Sequence, residues 1–285
     1  MTRLRVPGGE MAWWEEGTGT PVVLVHGTPS SSQEWRAVAR RLAPSYRVLA
    51  PEHLGFGQSD RPGDWRTYTL PWHVENLRSW LGQLRLGRFH LVVHDFGGPI
   101  ALPLALAAPE QVLSLTVIQS WLWDLKAPNV DNALMRWLYL SGNFSARMMV
   151  KLSWGRRVKL TRELHRSFLS QFPDRASRMG TWGFARSAVH EGPWLDVQGQ
   201  SLGRLADLPT LLVWGKADAL VKPQHLLRWK QELPQAKVLE FDDVGHFPQL
   251  EAPEELGTAL LEHLASVASM GQPGKASSPE STLPG

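Results

Sequence analysis

Asp95 stands where the chain turns. The run Arg88–His94 is β-branched and apolar, glycines follow at 97 and 98, and an alanine- and leucine-rich stretch comes next. That reads as a strand, a sharp elbow and a helix, the arrangement that exposes a nucleophile on strained backbone. The side chain there is a carboxylate, anionic at neutral pH and needing no base to activate it. Three further motifs could complete a site. His26-Gly27-Thr28-Pro29 closes an earlier apolar run, Trp214-Gly215-Lys216-Ala217-Asp218 ends a later one, and Val244-Gly245-His246-Phe247 follows the last. An acid and a histidine are what a general base for water requires. Bland readings compete with these. Asp95 could cap the helix near Gly97, Asp218 could be a turn residue, and His246 a buried structural histidine. The elbow and its two distant partners favour chemistry. His26 reads as an organiser of its loop, and His94, which alternates to the other face, as structural.

The elements that must position these groups follow from the apolar pattern. Strands are expected at Met11–Glu15, Val22–His26, Arg47–Pro51, Phe89–His94, Leu113–Gln119, Thr210–Gly215 and Lys237–Phe241. Helices are expected at Thr69–Leu84, Gly97–Ala108, Pro223–Leu233 and Pro253–Ala268. Strands alternating with helices argue for an α/β protein, a mostly parallel central sheet flanked by helices on both faces. Each chemical motif then lies just past a strand's carboxyl end, where open α/β sheets place their sites. Residues 123–204 break the rhythm with helical spacing and no central strand, and read as a helical cap inserted after the Leu113–Gln119 strand. The core is expected at 1–122 and 205–268, and a disordered tail at 269–285, rich in Gly, Pro and Ser and free of aromatics.

Composition narrows the class. The chain of 285 residues is 43% hydrophobic with a net charge of +3, which implies no general nucleic-acid role. With no cysteine, disulfides and thiolate chemistry are excluded. No signal peptide is visible, and the longest apolar run, Ile100–Ala108, cannot span a bilayer. The expectation is a cytoplasmic protein, monomeric or homodimeric, with a small-molecule substrate and no nucleic-acid or membrane partner. Seven Arg and two Lys between 147 and 178, against Glu163 and Asp174, read as a solvated basic helix face. The 14 tryptophans suggest a large apolar pocket or an aromatic lid.

Nucleophile, then acid, then histidine is the chain order of the α/β-hydrolase superfamily, which the chain resembles over about residues 10–268. Within it, His-Gly-Thr-Pro-Ser-Ser-Ser-Gln-Glu-Trp-Arg at 26–36 and Val-His-Asp at 93–95 resemble the haloalkane dehalogenases. Epoxide hydrolases share the Asp nucleophile but commonly have Gly where this chain has Val93. The resemblance implies that Asp95 attacks carbon to form an alkyl-ester, and that His246, oriented by Asp218, activates the water that hydrolyses it. Backbone N–H groups of Thr28 and Phe96 would form the oxyanion hole, and no metal or organic cofactor is implied. Two departures bear on the leaving group. Dehalogenases commonly hold the halide with a Trp directly after the nucleophile and an Asn after His-Gly; this chain has Phe96 and Thr28. Candidate substitutes are Trp182, Trp121 and Trp123. Tyr139 is the one tyrosine of the cap, too few for a two-tyrosine epoxide site. Glu52 stands where Asp is usual and is expected to fill the same structural role. Epoxide hydrolysis, a cofactor-free oxygenase and a non-catalytic binding protein on the same scaffold remain open as alternatives.

Overall fold

The computed structural model describes residues 1–270. Its centre is one eight-stranded sheet in the order β1-β2-β4-β3-β5-β6-β7-β8. The strands are β1 (Thr2–Val6), β2 (Gly9–Glu16), β3 (Pro21–Val25), β4 (Arg47–Pro51), β5 (Phe89–His94), β6 (Val112–Ile118), β7 (Thr210–Gly215) and β8 (Lys237–Phe241). From β4 through β8 the pairings are parallel, and β2 alone runs antiparallel to its neighbours β1 and β4. Strand β1 has no counterpart among the expected strands. It is an edge strand with a mostly exposed face, and so carries little apolar signal.

Side-chain alternation splits the core in two. Val23, Val25, Leu91, Val93, Leu115 and Val117 face one layer, with Leu77, Trp80, Ile100 and Ala101 from helices α2 (Leu70–Leu84) and α3 (Gly97–Ala107). Val22, Leu24, Val92, Ile118 and Val213 face the other, against α1 (Arg36–Leu42) and the C-terminal helix Pro253–Met270. Strand β5 is buried at all six positions, which is why its sequence is almost continuously apolar. Helix α2 begins where Thr69 accepts the Trp72 N–H at 3.3 Å, a side-chain cap worth about 1 kcal/mol.

Between β6 and β7 the chain is helical: α4 (Ala133–Leu140), a π-turn at Ser145–Met149 running into α5 (Val150–Ser153), α6 (Arg162–Ser170), α7 (Met179–His190) and α8 (Gly192–Gly199). This segment is continuous with the first core layer through Ala146, Val150, Phe168, Phe172, Phe184 and Leu195. The rings of Phe56 and Phe184 stack at 4.9 Å. The remaining helices are α9 (Pro223–Glu232), α10 (Pro248–Glu251) and α11, the C-terminal helix named above. Helix α11 runs two residues past the expected start of the tail; the rest of that tail, 271–285, lies outside the described residues. Among the described residues no helix is long and apolar enough to cross a membrane.

Candidate active site

Because β3, β5, β6, β7 and β8 are parallel neighbours, the segments that follow them share one edge of the sheet. That edge gathers Thr28, Asp95, Gln119, Asp218 and His246. Asp95 has φ of 49°, in the left-handed region that Asp tolerates better than most residues. The elbow is held by the Ser120 hydroxyl, which donates to the Asp95 carbonyl at 2.6 Å, and by the Gly98 N–H, which donates to the same oxygen at 3.1 Å. The backbone packs so closely here that a Cβ on Gly27 would collide with the Asp95 carboxylate, and one on Gly98 with the Ser120 hydroxyl.

The capping alternative for Asp95 fails on geometry. The residue at the N-cap of α3 is Phe96, without a side-chain cap bond. The Asp95 carboxylate turns instead to the loop after β3, where Oδ1 accepts the Thr28 N–H at 2.8 Å. Its other oxygen, Oδ2, lies 3.3 Å from His246 Nε2. That contact is a charge contact without hydrogen-bond alignment, so Nε2 has no partner within the protein. On the ring's far side, His246 Nδ1 donates to Asp218 Oδ2 at 2.7 Å. The three side chains expected to work together are thus brought into one line. The Phe96 N–H, expected beside that of Thr28, makes no bond to the carboxylate.

Burial disfavours the imidazolium of His246, yet Asp218 and Asp95 overcome it and hold its pKa well above the ordinary value. Burial likewise pushes the Asp95 carboxyl up, but the close contact with His246, together with His94 and the Thr28 N–H, brings it below the ordinary value. Both shifts favour the carboxylate–imidazolium form of the pair.

Two supporting groups escaped the sequence reading. Gln119 is fully buried with φ of 43°. Its amide donates to Asp218 Oδ2 at 2.5 Å and accepts the Gly215 N–H at 3.1 Å. The Leu220 N–H (2.7 Å) and Val221 N–H (3.2 Å) complete the cradle of Asp218. The signal was present: Gln119-Ser120 is a polar pair ending an apolar strand. Glu34 is the second. His94 donates from Nε2 to the His246 carbonyl at 2.8 Å while its Nδ1 lies 3.0 Å from the buried Glu34 carboxylate. His94 is thus a strut between α1's approach and the His246 loop. His26 organises its loop: Nδ1 donates to the Gly27 carbonyl (2.7 Å) and Nε2 accepts the His53 N–H (3.1 Å). Burial keeps it neutral, its pKa well below the ordinary value. Glu52 accepts from the Ser32 hydroxyl at 2.7 Å and the Gln58 N–H at 2.5 Å, fastening the glycine-rich loop.

Asp95 opens onto a cavity of about 610 Å³ lined by Thr28, Phe96, Trp121, Tyr139, Met149 and Val221 among others. The candidate residues separate here. Trp121 lines the cavity and its buried Nε1 has no hydrogen-bond partner in the protein. Trp182 also has an unpartnered Nε1, but it packs behind Tyr139 at 5.3 Å and is not part of the lining. Trp123 is outside the lining, and its Nε1 donates to His225 Nδ1 at 3.0 Å. Tyr139 reaches the cavity; the Tyr68 hydroxyl is engaged with the Pro62 carbonyl at 2.9 Å. Phe96 stacks on Phe184 at 4.6 Å and meets Trp121 edge-on at 5.0 Å, so its ring forms an apolar wall. Among the described residues no cluster of three or more His, Asp or Glu could hold a metal ion.

Known proteins resemble this chain along most of its length. A family model described as alpha/beta hydrolase fold matches residues 20–253. A cis-3-alkyl-4-alkyloxetan-2-one decarboxylase of Shewanella oneidensis is 27% identical over 283 residues, covering 92% of this chain and 87% of its own. Haloalkane dehalogenase 2 of Mycobacterium tuberculosis is 26% identical over 268 residues, covering 89% and 91% respectively. The crystal structure of a haloalkane dehalogenase from Bradyrhizobium elkani superposes with a TM-score of 0.83 at 24% identity, over 95% of this chain and 99% of that one. A likeness at that identity speaks to the fold.

Proposed function

We propose that this chain, which belongs to the α/β-hydrolase fold family, is a haloalkane dehalogenase-like hydrolase that works through an ester on Asp95. The observation that carries the reading is the division of labour on the Asp95 carboxylate. Oδ1 is tied to the Thr28 N–H at 2.8 Å, while Oδ2 faces His246 Nε2 at 3.3 Å.

In this reading Asp95 Oδ2 attacks a saturated carbon of the substrate, and the halide leaves with its bonding pair. Covalent catalysis of this kind splits one hard displacement into two easier steps. Alkylation has a second consequence. It removes one of the two anions that keep His246 protonated, so the ring's pKa falls and its proton departs with the halide. Neutral Nε2 then takes a proton from water, and the water oxygen attacks Asp95 Cγ. Charge develops on Oδ1, where the Thr28 N–H already points; such a donor contributes about 3 kcal/mol. The intermediate collapses, His246 gives its proton to the departing alkoxide, and the Asp95 acid left behind passes the remaining water proton to Nε2, which restores the carboxylate and the imidazolium. Asp218 holds the tautomer and the imidazolium throughout. The Phe96 N–H, next to the elbow, would join the oxyanion hole only after a small rotation of the carboxyl group.

Trp121 is the indole we assign to the leaving group, because it alone of the three candidate indoles both lines the cavity and lacks a partner. The helical segment 123–204 serves as the cap over a core formed by 1–122 and 205–268. A second reading is opening of a strained oxygen ring. Tyr139 in the cavity favours it, since burial pushes its pKa up to about 12 and keeps the phenol a donor. The relative that acts on an oxetanone adds a four-membered lactone to that class.

A substrate panel separates the readings. Bromoalkanes, terminal epoxides and a cis-dialkyl oxetan-2-one are incubated with the protein, reading halide, diol and carbon dioxide separately. Halide release with an alcohol product supports the first reading; diol or carbon dioxide without halide replaces it. His246→Gln is expected to accumulate the ester, visible as a mass increase on the peptide holding Asp95. Turnover by the parent protein with no adduct in this variant would refute the covalent route.

A further inference from the structure

The basic residues of the helical segment are not used by the chemistry, and two kinds stand out among them. Arg157 pairs with Asp243 at 2.9 Å and with Glu255 at 2.8 Å, and Arg178 donates to the carbonyls of Leu140, Ser141, Phe172 and Pro173. These are structural. Arg136, Arg147 and Lys151 are different: they are exposed, and none has a carboxylate within ion-pair distance among the described residues. The stretch 133–153 that contains them has no Asp or Glu at all.

The same stretch exposes apolar surface. Leu134 is 65% exposed, Trp137 59%, Met148 43% and Leu152 56%. With Val158 they make five of the nine large hydrophobics exposed among the described residues, so the exposure is concentrated rather than scattered. On α4, Leu134 and Trp137 lie three apart beside Arg136; on the following π- and α-turns, Met148 and Leu152 lie four apart beside Arg147 and Lys151. Residues so spaced share one helix face. The inner faces of both segments line the catalytic cavity through Tyr139, Ser145 and Met149. Tyr139 and Phe144 pack at 5.4 Å, so the two segments are neighbours. Helical spacing puts Leu134 and Trp137 opposite Tyr139, and Arg147 and Lys151 opposite Met149, with Met148 and Leu152 on the flank between.

We propose that this outer face docks on an anionic phospholipid surface. Trp and Leu at the headgroup level, flanked by cations without counterions, are the chemistry of a helix face that lies on a membrane rather than crossing it. Charge selects the occupant: a second copy of this chain would bring the same cations to the contact, whereas an anionic lipid surface complements them. The protein would then sit with its cavity roof against the bilayer, where apolar substrates concentrate. This replaces the expectation of no membrane partner with surface attachment, and it stands apart from the identity of the leaving group.

Co-sedimentation with vesicles tests it. The protein is expected to bind vesicles of phosphatidylcholine with phosphatidylglycerol at low salt, and to bind phosphatidylcholine alone or at high salt at least tenfold more weakly. Each cation near such a surface is worth about fivefold in affinity, so Arg147→Glu with Lys151→Glu should weaken binding by more than about 25-fold. Leu134→Ser with Trp137→Ser should also release the protein. All four side chains are exposed, so melting temperature and hydrolysis of a soluble substrate should stay unchanged. Three results would overturn the proposal: no binding to anionic vesicles at low salt, binding that both double variants retain, or a dimer in sedimentation equilibrium that the Leu134→Ser/Trp137→Ser variant breaks without any vesicle binding.

Discussion

On the floor of the cavity, at the carboxyl edge of the sheet, the groups that orient the histidine are engaged; on its roof, formed by Trp121 and the helical segment it leads into, buried indole donors stand alone. Asp218 receives four donors, from Gln119, Leu220, Val221 and His246. Trp121 on the cavity wall and Trp182 behind it in the helical segment keep buried N–H groups without partners. A floor whose orienting acid is saturated with hydrogen bonds fixes charges before substrate arrives, which is how preorganised sites lower a barrier. A roof with open donors and apolar walls leaves the choice of substrate to shape and to whatever anion the reaction releases. The contrast teaches where tolerance to change should lie.

The largest expected effect is on the floor. Asp95→Ala should abolish ester formation and lower turnover by about 10⁴-fold or more, as loss of a nucleophile in a triad does. Circular dichroism should show a folded protein. Asp95→Asn sharpens the electrostatic half of the argument. With one carboxylate gone, the raised pKa of His246 should fall, since Asp95 is one of the two groups that hold it up. NMR titration of the imidazole reads this directly. In the parent protein, the pKa is raised on folding, so the His246 contribution to stability is present below the ordinary histidine pKa and lost as pH rises through the folded value. The variant should show that loss at lower pH. An unchanged titration would break the coupling on which the two-step mechanism depends.

The floor was also the legible half of the sequence. Asp95 and Asp218 each follow an apolar run that reads as a buried strand and His246 follows the edge strand β8, and parallel strands deliver their C-terminal loops to one edge. Their meeting is a consequence of topology. Gln119 was less visible because a glutamine at a strand end has no distinctive spacing; its role exists only through a contact 99 residues away in sequence. The roof resisted reading for a related reason. Helical spacing identifies which residues are buried, but not which neighbour each indole meets. Trp121, Trp123 and Trp182 are equivalent by sequence, and they separate only when packing gives one a cavity, one a histidine and one a tyrosine. Strand β1 was missed because its edge position leaves half its side chains exposed.

Trp121→Phe tests the open donor of the roof while keeping the aromatic wall against Phe96. A hydrogen bond to a charged group contributes about 1.5–3 kcal/mol, so halide release should fall by about 10- to 100-fold in kcat/KM. Hydrolysis of the ester, which does not involve the halide, should be unchanged in single-turnover measurement. Gln119→Leu then probes a supporting group of the floor. Asp218 keeps its two backbone donors, so activity should fall only about tenfold. The Gly215 N–H loses its acceptor, and an unpaired buried group costs about 1–3 kcal/mol, read as a lower denaturation midpoint. If Gln119→Leu exceeded Asp95→Ala in its effect, the ordering of the floor would be wrong.

Trp182→Phe should have the smallest effect on chemistry. The indole N–H is buried and unpartnered, like that of Trp121, but the ring lies behind Tyr139 and outside the cavity lining. Its removal takes away an unsatisfied donor, which by itself favours folding, and leaves a small void, which costs stability in proportion to its volume. The two terms oppose, so stability should change by less than about 2 kcal/mol. Turnover should stay within about twofold, because no group that meets substrate loses a hydrogen bond. A loss matching that of Trp121→Phe would mean that the roof reaches the leaving group from two sides. Open donors would then be part of the catalytic apparatus, and the division between a fixed floor and a permissive roof would fail at the residue where it is easiest to measure.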